Sequence, residues 1–510
     1  RLIGGVTIHA ANSLRGNSSL MTVHLRLSPN KQKVAERRYG CLGAKVFDEF
    51  SQNNGKLWHA DAYITAVARA RFHDLDPSRY SEPTQTWGAM PIILAGDELQ
   101  IPPVPFEASL LAPVEGSSHE QKVGVKIFSG LRHVYRLTTA MRFKDDLLSG
   151  MLAKMRTKGG CRLTKREWDT LQETEVEDPA KDLAGTELWY EASYVWSVVS
   201  MAQVIRSRLS AQHHKTVLFI AQAEDQLMNP FCLQARDGDV AIEDLRQEVG
   251  KAILRHTNMN ETGRLPSFWM GHMNMKVRLC QTVEPGIAVT DSTGQLVGID
   301  FDDREPPRHT EAVELCGRSV VILRYMPKCI HVKLDREDGV GVSNIDLIPP
   351  TPCHLHEGRD ADPACPDCKF FRDVVAVAPQ QNKQAWSIDV RLKGFAELVK
   401  LRVKRRQLPT VCLSASTLHV LQGTTCDPGL IYHWKFPKRL RKDLLWLATY
   451  VVLSRVRSFK NLRSIGLTTR VREIIEQGPP DTLPAQFEKY FAAKEVETLA
   501  VAKESIRRLG

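Results

Sequence analysis

The chain has 510 residues, 43% hydrophobic and 25% charged, which is globular composition and excludes a wholly disordered, collagen-like or coiled-coil chain. That length is too great for one core and predicts about three units. Lys and Arg number 69 against 59 Asp and Glu, a net charge of +10 that suits a polyanionic partner. No apolar run reaches the roughly 18 residues of a membrane span. The longest, Leu444 to Leu453, lies between Asp443 and Ser454 and reads as a buried core segment. The eleven cysteines are scattered without a small-domain framework, which points to a reducing, intracellular compartment. Residue 1 is Arg and no signal-peptide pattern follows, so the chain is expected to begin inside a longer polypeptide.

In chain order, Lys45-Val46-Phe47 is an apolar strand closed by Asp48-Glu49, and a helix is expected from about Leu57 to Phe72. A second strand, Pro91 to Ala95, is closed by Gly96-Asp97. Strands alternating with helices predict a parallel α/β sheet, whose ligands bind at the carboxyl ends of the strands. Both acidic turns therefore sit where chemistry is expected. The pattern is helical from Leu131 to Arg156, and 157–190 reads as polar connector. Val217 to Ala221 is another buried-strand candidate. Met275 to Leu279 and Gln295 to Phe301 alternate, with turn chemistry between them, and predict a small antiparallel barrel. The α/β pattern resumes from Leu398 to Thr425 and ends in helices through Arg508.

The strongest motif is Gly96-Asp97-Glu98-Leu99-Gln100-Ile101-Pro102-Pro103. A strand, a Gly-Asp turn, a polar amide and a Pro-Pro stop is an unusual order, and the Gln100 amide could both donate to a γ-phosphate and orient a water. This segment resembles motif III of the petite-integration-frequency (PIF) family of superfamily-one DNA helicases. Other segments resemble that family's motifs in the same order. Leu2 to His9 resembles motif Ia, Asp48-Glu49-Phe50-Ser51 the Walker B motif, and Leu137 to Arg142 motif IV. Arg406 to Pro409 and Ala415 to Thr425 resemble motif V with its lead-in, and Tyr450 to Val456 resembles motif VI.

The resemblance implies two RecA-like α/β motor domains of the P-loop NTPase type with a small β-barrel insertion. It implies ATP-dependent unwinding of DNA by translocation on single strands, with ATP and Mg²⁺ at the domain interface. Asp48 would hold Mg²⁺ through water, Glu49 would polarise the attacking water, and Gln100 would sense the γ-phosphate. Arg142 and Arg455 would reach the phosphates, Arg455 as an arginine finger, and Asp97, Gln422 and Gly423 would contribute to nucleotide binding. Thr7 and His9 on one domain, and Thr417 and His419 on the other, would contact single-stranded DNA, unless they are plain polar caps. Partners would be single-stranded DNA and duplex junctions, in recombination, repair or telomere maintenance, in a nucleus or mitochondrion.

The division expected is 1–130 for the first motor domain, 131–270 for the start of the second with its connector, and 271–345 for the barrel. A Cys/His-rich loop over 346–385, the rest of the second domain over 386–470 and a helical tail over 471–510 complete it. Two features depart from the family. The phosphate-binding Gly-rich loop expected about thirty residues before motif Ia is absent. Gly55-Lys56 and Gly250-Lys251 precede Leu57 and Ala252 and lie in no Gly-rich turn. The chain is therefore read as a fragment that alone hydrolyses ATP weakly or not at all. The alternative is a catalytically dead DNA-binding remnant. Val420 also stands where motif V often has Lys. Outside the family motifs, Cys353-x-x-His356 and Cys365-x-x-Cys368 have zinc-like spacing and are either Zn²⁺ ligands or unliganded thiols. The basic run Lys400, Arg402, Lys404, Arg405, Arg406 alternates with Val399, Leu401 and Val403. Its cations would line one strand face, for phosphate binding or for edge protection.

Overall fold

The computed structural model describes residues 29–76, 83–103, 108–137, 141–177, 193–195, 199–230, 242–256, 259, 261–284, 288–306, 312–314, 319–335, 374–436 and 441–509. Thr7, His9, Cys353, His356, Cys365 and Cys368 lie outside them.

Strands Lys45–Phe47 and Ile92–Leu94 pair in parallel, Phe47 opposite Leu94, so their two acidic turns emerge side by side. Helix Gly55–Phe72 crosses between them, started by Asn54, whose side chain accepts the Leu57 N–H at 2.7 Å. Its buried Asp61 pairs with Lys45 Nζ at 2.5 Å and accepts the Trp87 indole N–H at 2.8 Å, satisfying a charge that burial would otherwise disfavour.

The second half holds an all-parallel sheet in the spatial order Ala415–Ser416, Ser193–Val195, Leu430–His433, Leu462–Ile465. Against it lies helix Lys442–Leu453, buried along Leu445 to Leu453, as expected of that apolar run. Leu218–Gln222 runs parallel to Ser319–Leu323 in a separate mixed sheet with Phe268–Gly271 and Ala312–Glu314. The antiparallel sheet expected near 275–301 is present and wider than the sequence suggests. Lys276–Leu279 and Thr293–Asp300 are joined by Cys329–Leu334, Val374–Val377 and, from far along the chain, Thr410–Cys412.

Four local readings are corrected. Residues 131–137 have no regular secondary structure, and the helix expected from Leu131 begins only at Asp146, where Asp145 caps the N–H groups of Leu147 and Leu148. The connector 157–190 contains helix Lys165–Gln172, nucleated by a reciprocal Thr164–Glu167 capping box. Strand Val399–Gln407 does not continue the parallel sheet. It pairs antiparallel with Trp386–Val390, Gln380–Gln381 and Glu224–Leu227. The basic run on that strand does not keep to one face: Arg405 turns inward with Val403, fully buried, and forks onto Asp225 at 2.8 and 2.9 Å.

One hydrophobic core runs through both halves, from Phe47, Phe50 and Trp58 through Leu148 and Met151 to Trp446 and Val451. The 28-residue helix Thr482–Leu509 returns to the first half. There Phe491 meets Phe128 edge-on at 5.1 Å, and Phe487 stacks on Phe50 at 6.3 Å. Arg136, in the irregular segment 131–137, pairs with Glu488 and Glu495 of that helix, and Thr498 Oγ1 accepts the Val134 N–H.

Candidate active site

The two acidic turns are tied directly together. Ala95 N–H donates to Phe47 O at 2.8 Å, and Phe50 N–H donates to Ala95 O at 3.1 Å. Between them Glu49 takes a left-handed backbone, φ 56° and ψ 50°, a strained conformation for a side chain of its size. The turn is held by Asp48, whose Oδ1 accepts the Glu49 N–H at 2.9 Å while its carboxylate stays exposed. Strain at this position aims the Glu49 carboxylate sideways, toward the second half of the molecule.

There it meets Gly423. A Cβ on Gly423, whose φ is +73°, would stand 2.7 Å from Glu49 Oε1, so a side chain there would adopt a disfavoured backbone and push the carboxylate aside. The preceding Gln422 is buried and donates its amide to Ile101 O at 2.8 Å, in the segment that also carries Gln100. Gln100 is buried, and its side chain lowers the Glu49 pKa. Burial, then the neighbouring Asp48, raise the Glu49 pKa, opposed by Arg455 and by the Gln100 amide. Glu49 Oε2 and Gln100 Oε1 are buried polar atoms without a hydrogen-bond partner among the described residues. Such acceptor oxygens are costly unless something outside the chain donates to them, and a water has the chemistry to do so.

Two arginines from distant segments complete the cluster. Arg455 is buried at the end of helix Lys442–Leu453, its guanidinium donating to Val451 O at 3.2 Å and Ser454 Oγ at 2.9 Å. Arg142 donates to Ser454 O at 2.8 Å. It stands on a loop, not on the helix expected there, because the helix starts at the Asp145 cap. Burial, then the Arg142 charge, lower the Arg455 pKa, while Glu49 raises it, so Arg455 is poised between a cation and a carboxylate.

The sequence reading missed Arg156. It donates to Asp97 Oδ2 at 2.9 Å, to Glu98 Oε1 at 3.0 Å and to the Tyr450 hydroxyl at 2.7 Å. It thereby links the second acidic turn to helix Lys442–Leu453. Burial raises the Glu98 pKa, as does Asp97, and Arg156 opposes both. Nothing in the local sequence singles this arginine out, since it ends an ordinary amphipathic helix.

No protein-family model matches the chain. Over 265 residues, 51% of this chain, it is 24% identical to the ATP-dependent DNA helicase PIF1 of Saccharomyces cerevisiae. That stretch is 27% of the yeast protein, so the chain spans well under two thirds of this relative. The fold matches the crystal structure of Pif1 helicase from Candida albicans with a TM-score of 0.53 at 15% identity, over 96% of this chain and 86% of that one. Part of its sequence and its fold are thus similar to Pif1 helicases. A Bacteroides Pif1 helicase in complex with ADP-AlF3 and single-stranded DNA aligns over 96% of this chain and 84% of that one, with a TM-score of 0.49 at 13% identity.

The two parallel α/β halves share the fold of the Candida albicans Pif1 helicase. Asp48, Glu49, Asp97, Gln100, Gln422, Gly423, Arg142 and Arg455 gather where these halves meet. Thr417 precedes the short 3₁₀ turn Leu418–Leu421, which includes His419, and its side chain makes no capping bond. Among the described residues, no helix is long and apolar enough to cross a membrane.

Proposed function

We propose that the protein is an ATP-dependent DNA helicase that translocates on single-stranded DNA, hydrolysing ATP between its two motor domains. The observation that carries this reading is the contact of Glu49, on the first domain, with Gly423 and the Arg455 charge from the second. Hydrolysis needs a carboxylate to orient water and cations to stabilise charge on the transferring phosphoryl oxygens. Here those groups come from opposite sides of one cleft, so hydrolysis and domain closure depend on each other.

In this reading ATP is the substrate, and its Mg²⁺ is held through water by Asp48. The exposed Asp48 carboxylate, with one oxygen engaged by the Glu49 N–H, suits an outer-sphere contact. The orphaned Glu49 Oε2 and Gln100 Oε1 are both acceptors and would take the protons of the attacking water. The raised Glu49 pKa makes it a better general base than an exposed carboxylate. Thr417 and His419, with Thr7 and His9, are proposed to hold DNA phosphates on the two domains. Duplex junctions as substrates, roles in recombination, repair or telomere maintenance, and a nuclear or mitochondrial site belong to the same proposal. So does a Zn²⁺ at Cys353, His356, Cys365 and Cys368, together with the domain limits given above.

The test is made in full-length protein. Glu49→Gln keeps nucleotide binding and abolishes DNA-stimulated ATP turnover. Arg455→Ala lowers turnover by roughly 10³-fold or more if it acts as a finger. Normal turnover in Glu49→Gln would overturn the assignment of this cleft as the hydrolytic site.

A further inference from the structure

On the five-stranded antiparallel sheet, away from the cleft, three different metal-binding side chains converge on one point. Strand Thr293–Asp300 pairs with strand Cys329–Leu334, with Asp300 directly opposite Cys329. Cys329 and His331 are two apart, so the pleat puts both side chains on the face that Asp300 shares. The residue opposite His331 is Gly298, and a Cβ there would come within 3.1 Å of the imidazole Cδ2. Its absence gives the ring room to lean toward Asp300.

His331 Nε2 lies 2.9 Å from Asp300 Oδ2, Cys329 Sγ lies 3.0 Å from the same oxygen, and Sγ and Nε2 are 3.6 Å apart. His331 Nδ1 is turned inward and buried, so Nε2 is the nitrogen presented. The three ligand atoms all lie within 4.8 Å of one another, the one such group of His, Cys and acidic side chains among the described residues. The nearby cations do not oppose a metal ion: Arg304 forks onto Asp302 and Lys328 binds Asp303.

We propose that Asp300, Cys329 and His331 form a Zn²⁺ site on this sheet, with a water completing the tetrahedron on the solvent side. Zn²⁺ takes thiolate sulfur at about 2.3 Å and imidazole or carboxylate at about 2.0–2.2 Å, so tetrahedral ligand pairs sit roughly 3.3–3.7 Å apart. The observed separations of 2.9 to 3.6 Å need to open by only several tenths of an ångström. The ion replaces the proton now shared between the thiol and the carboxylate, and that proton leaves to solvent. A mixed sulfur, nitrogen and oxygen set favours Zn²⁺ over the oxygen-seeking Mg²⁺ and Ca²⁺. Asp300 is half-exposed, so the fourth position opens to water.

The experiment uses the full chain with Cys353, Cys365 and Cys368 changed to Ser, which removes the other candidate thiol cluster. After treatment with a chelator, Co²⁺ is titrated in as a spectroscopic stand-in and then displaced by Zn²⁺. One Co²⁺ per chain is expected, with tetrahedral ligand-field bands and a thiolate charge-transfer band that Zn²⁺ abolishes. Cys329→Ser should lose the charge-transfer band. Loss of an outer-shell partner typically costs about 10–100-fold in metal affinity, so His331→Ala and Asp300→Asn, each removing a ligand, should weaken binding at least that much. Asp300→Asn keeps shape at a half-exposed position, so it reads binding rather than folding. A six-coordinate cobalt spectrum, no bound ion, or unchanged affinity in Asp300→Asn would overturn the site.

Discussion

Replacing Gly423 with Ala tests whether the Glu49–Gly423 contact fixes the hydrolytic geometry. Two costs follow from the structure. Alanine at φ +73° pays for a left-handed backbone, about 1–2 kcal/mol. Its Cβ would also stand 2.7 Å from Glu49 Oε1, well inside the roughly 3.5 Å at which non-bonded heavy atoms attract. Relief requires the carboxylate or the 423 loop to retreat by several tenths of an ångström. Misplacing a catalytic group by about 1 Å can cost ~10²-fold, so turnover should fall about 10- to 100-fold while nucleotide binding persists. Gly466→Ala is the matched control. Its φ is +67°, yet the nearest atom to an added Cβ is His433 Cε1 at 4.0 Å, so it carries the backbone cost without the collision. Denaturant unfolding should show similar losses of stability in both variants. Steady-state, DNA-stimulated ATPase of the full-length protein should separate them. If Gly423→Ala turns over as fast as Gly466→Ala, the contact does not govern the chemistry and the reasoning fails.

Other perturbations probe the scaffold. Asp61→Asn leaves Lys45 buried without its counter-charge and should cost about 3–5 kcal/mol of unfolding free energy, most of it recovered by adding Lys45→Met. An additive double variant would refute the pairing. His272 is fully buried, its Nδ1–H donating to Met273 O at 2.8 Å and its Nε2 accepting from Ser210 Oγ at 2.9 Å as a neutral ring, and burial pulls its pKa down to about 4. The unfolded histidine takes up its proton near 6.5 while the folded one does not, so stability should fall as pH drops from about 6.5 to about 4. The shift corresponds to roughly 3 kcal/mol. Unfolding curves of His272→Gln should lack that component, and an unchanged pH profile would show that the ring is not held neutral.

The sequence is most legible where local chemistry and tertiary role coincide. Lys45–Phe47 and Ile92–Leu94 are short apolar runs closed by acidic turns, and their pairing is the simplest way to bury them. Leu445 to Leu453 is buried for the same reason. Legibility fails where a side chain serves a distant partner. Arg405 looks like its basic neighbours, yet Asp225, 180 residues earlier, draws it inward. Arg142 sits among residues of good helix propensity, but the cap at Asp145 starts the helix after it. Arg156 joins the second acidic turn to Tyr450, 294 residues on, and no local pattern encodes that. Strand Thr410–Cys412 forms one edge of the antiparallel sheet from outside the stretch whose alternation announces it.

These long-range ties bear on how hydrolysis would move DNA. The segment from Thr417 to Gly423 begins with two candidate phosphate contacts and ends against Glu49, with Gln422 fastened to Ile101 on the opposite domain. Seven residues spanning one 3₁₀ turn leave little slack, because a short hydrogen-bonded segment transmits a displacement instead of absorbing it. A change at the Glu49 carboxylate, when its water is consumed or the phosphate leaves, would therefore reach Thr417 and His419 through the backbone. Arg156 and the shared core oppose any wholesale parting of the domains, since Asp97, Glu98 and Tyr450 all hang on one guanidinium. The motion such an arrangement favours is a small opening at the cleft, pivoting about the core that runs from Phe47 to Val451. In the proposed helicase, a small pivot would suit a grip on DNA phosphate that is indifferent to base sequence.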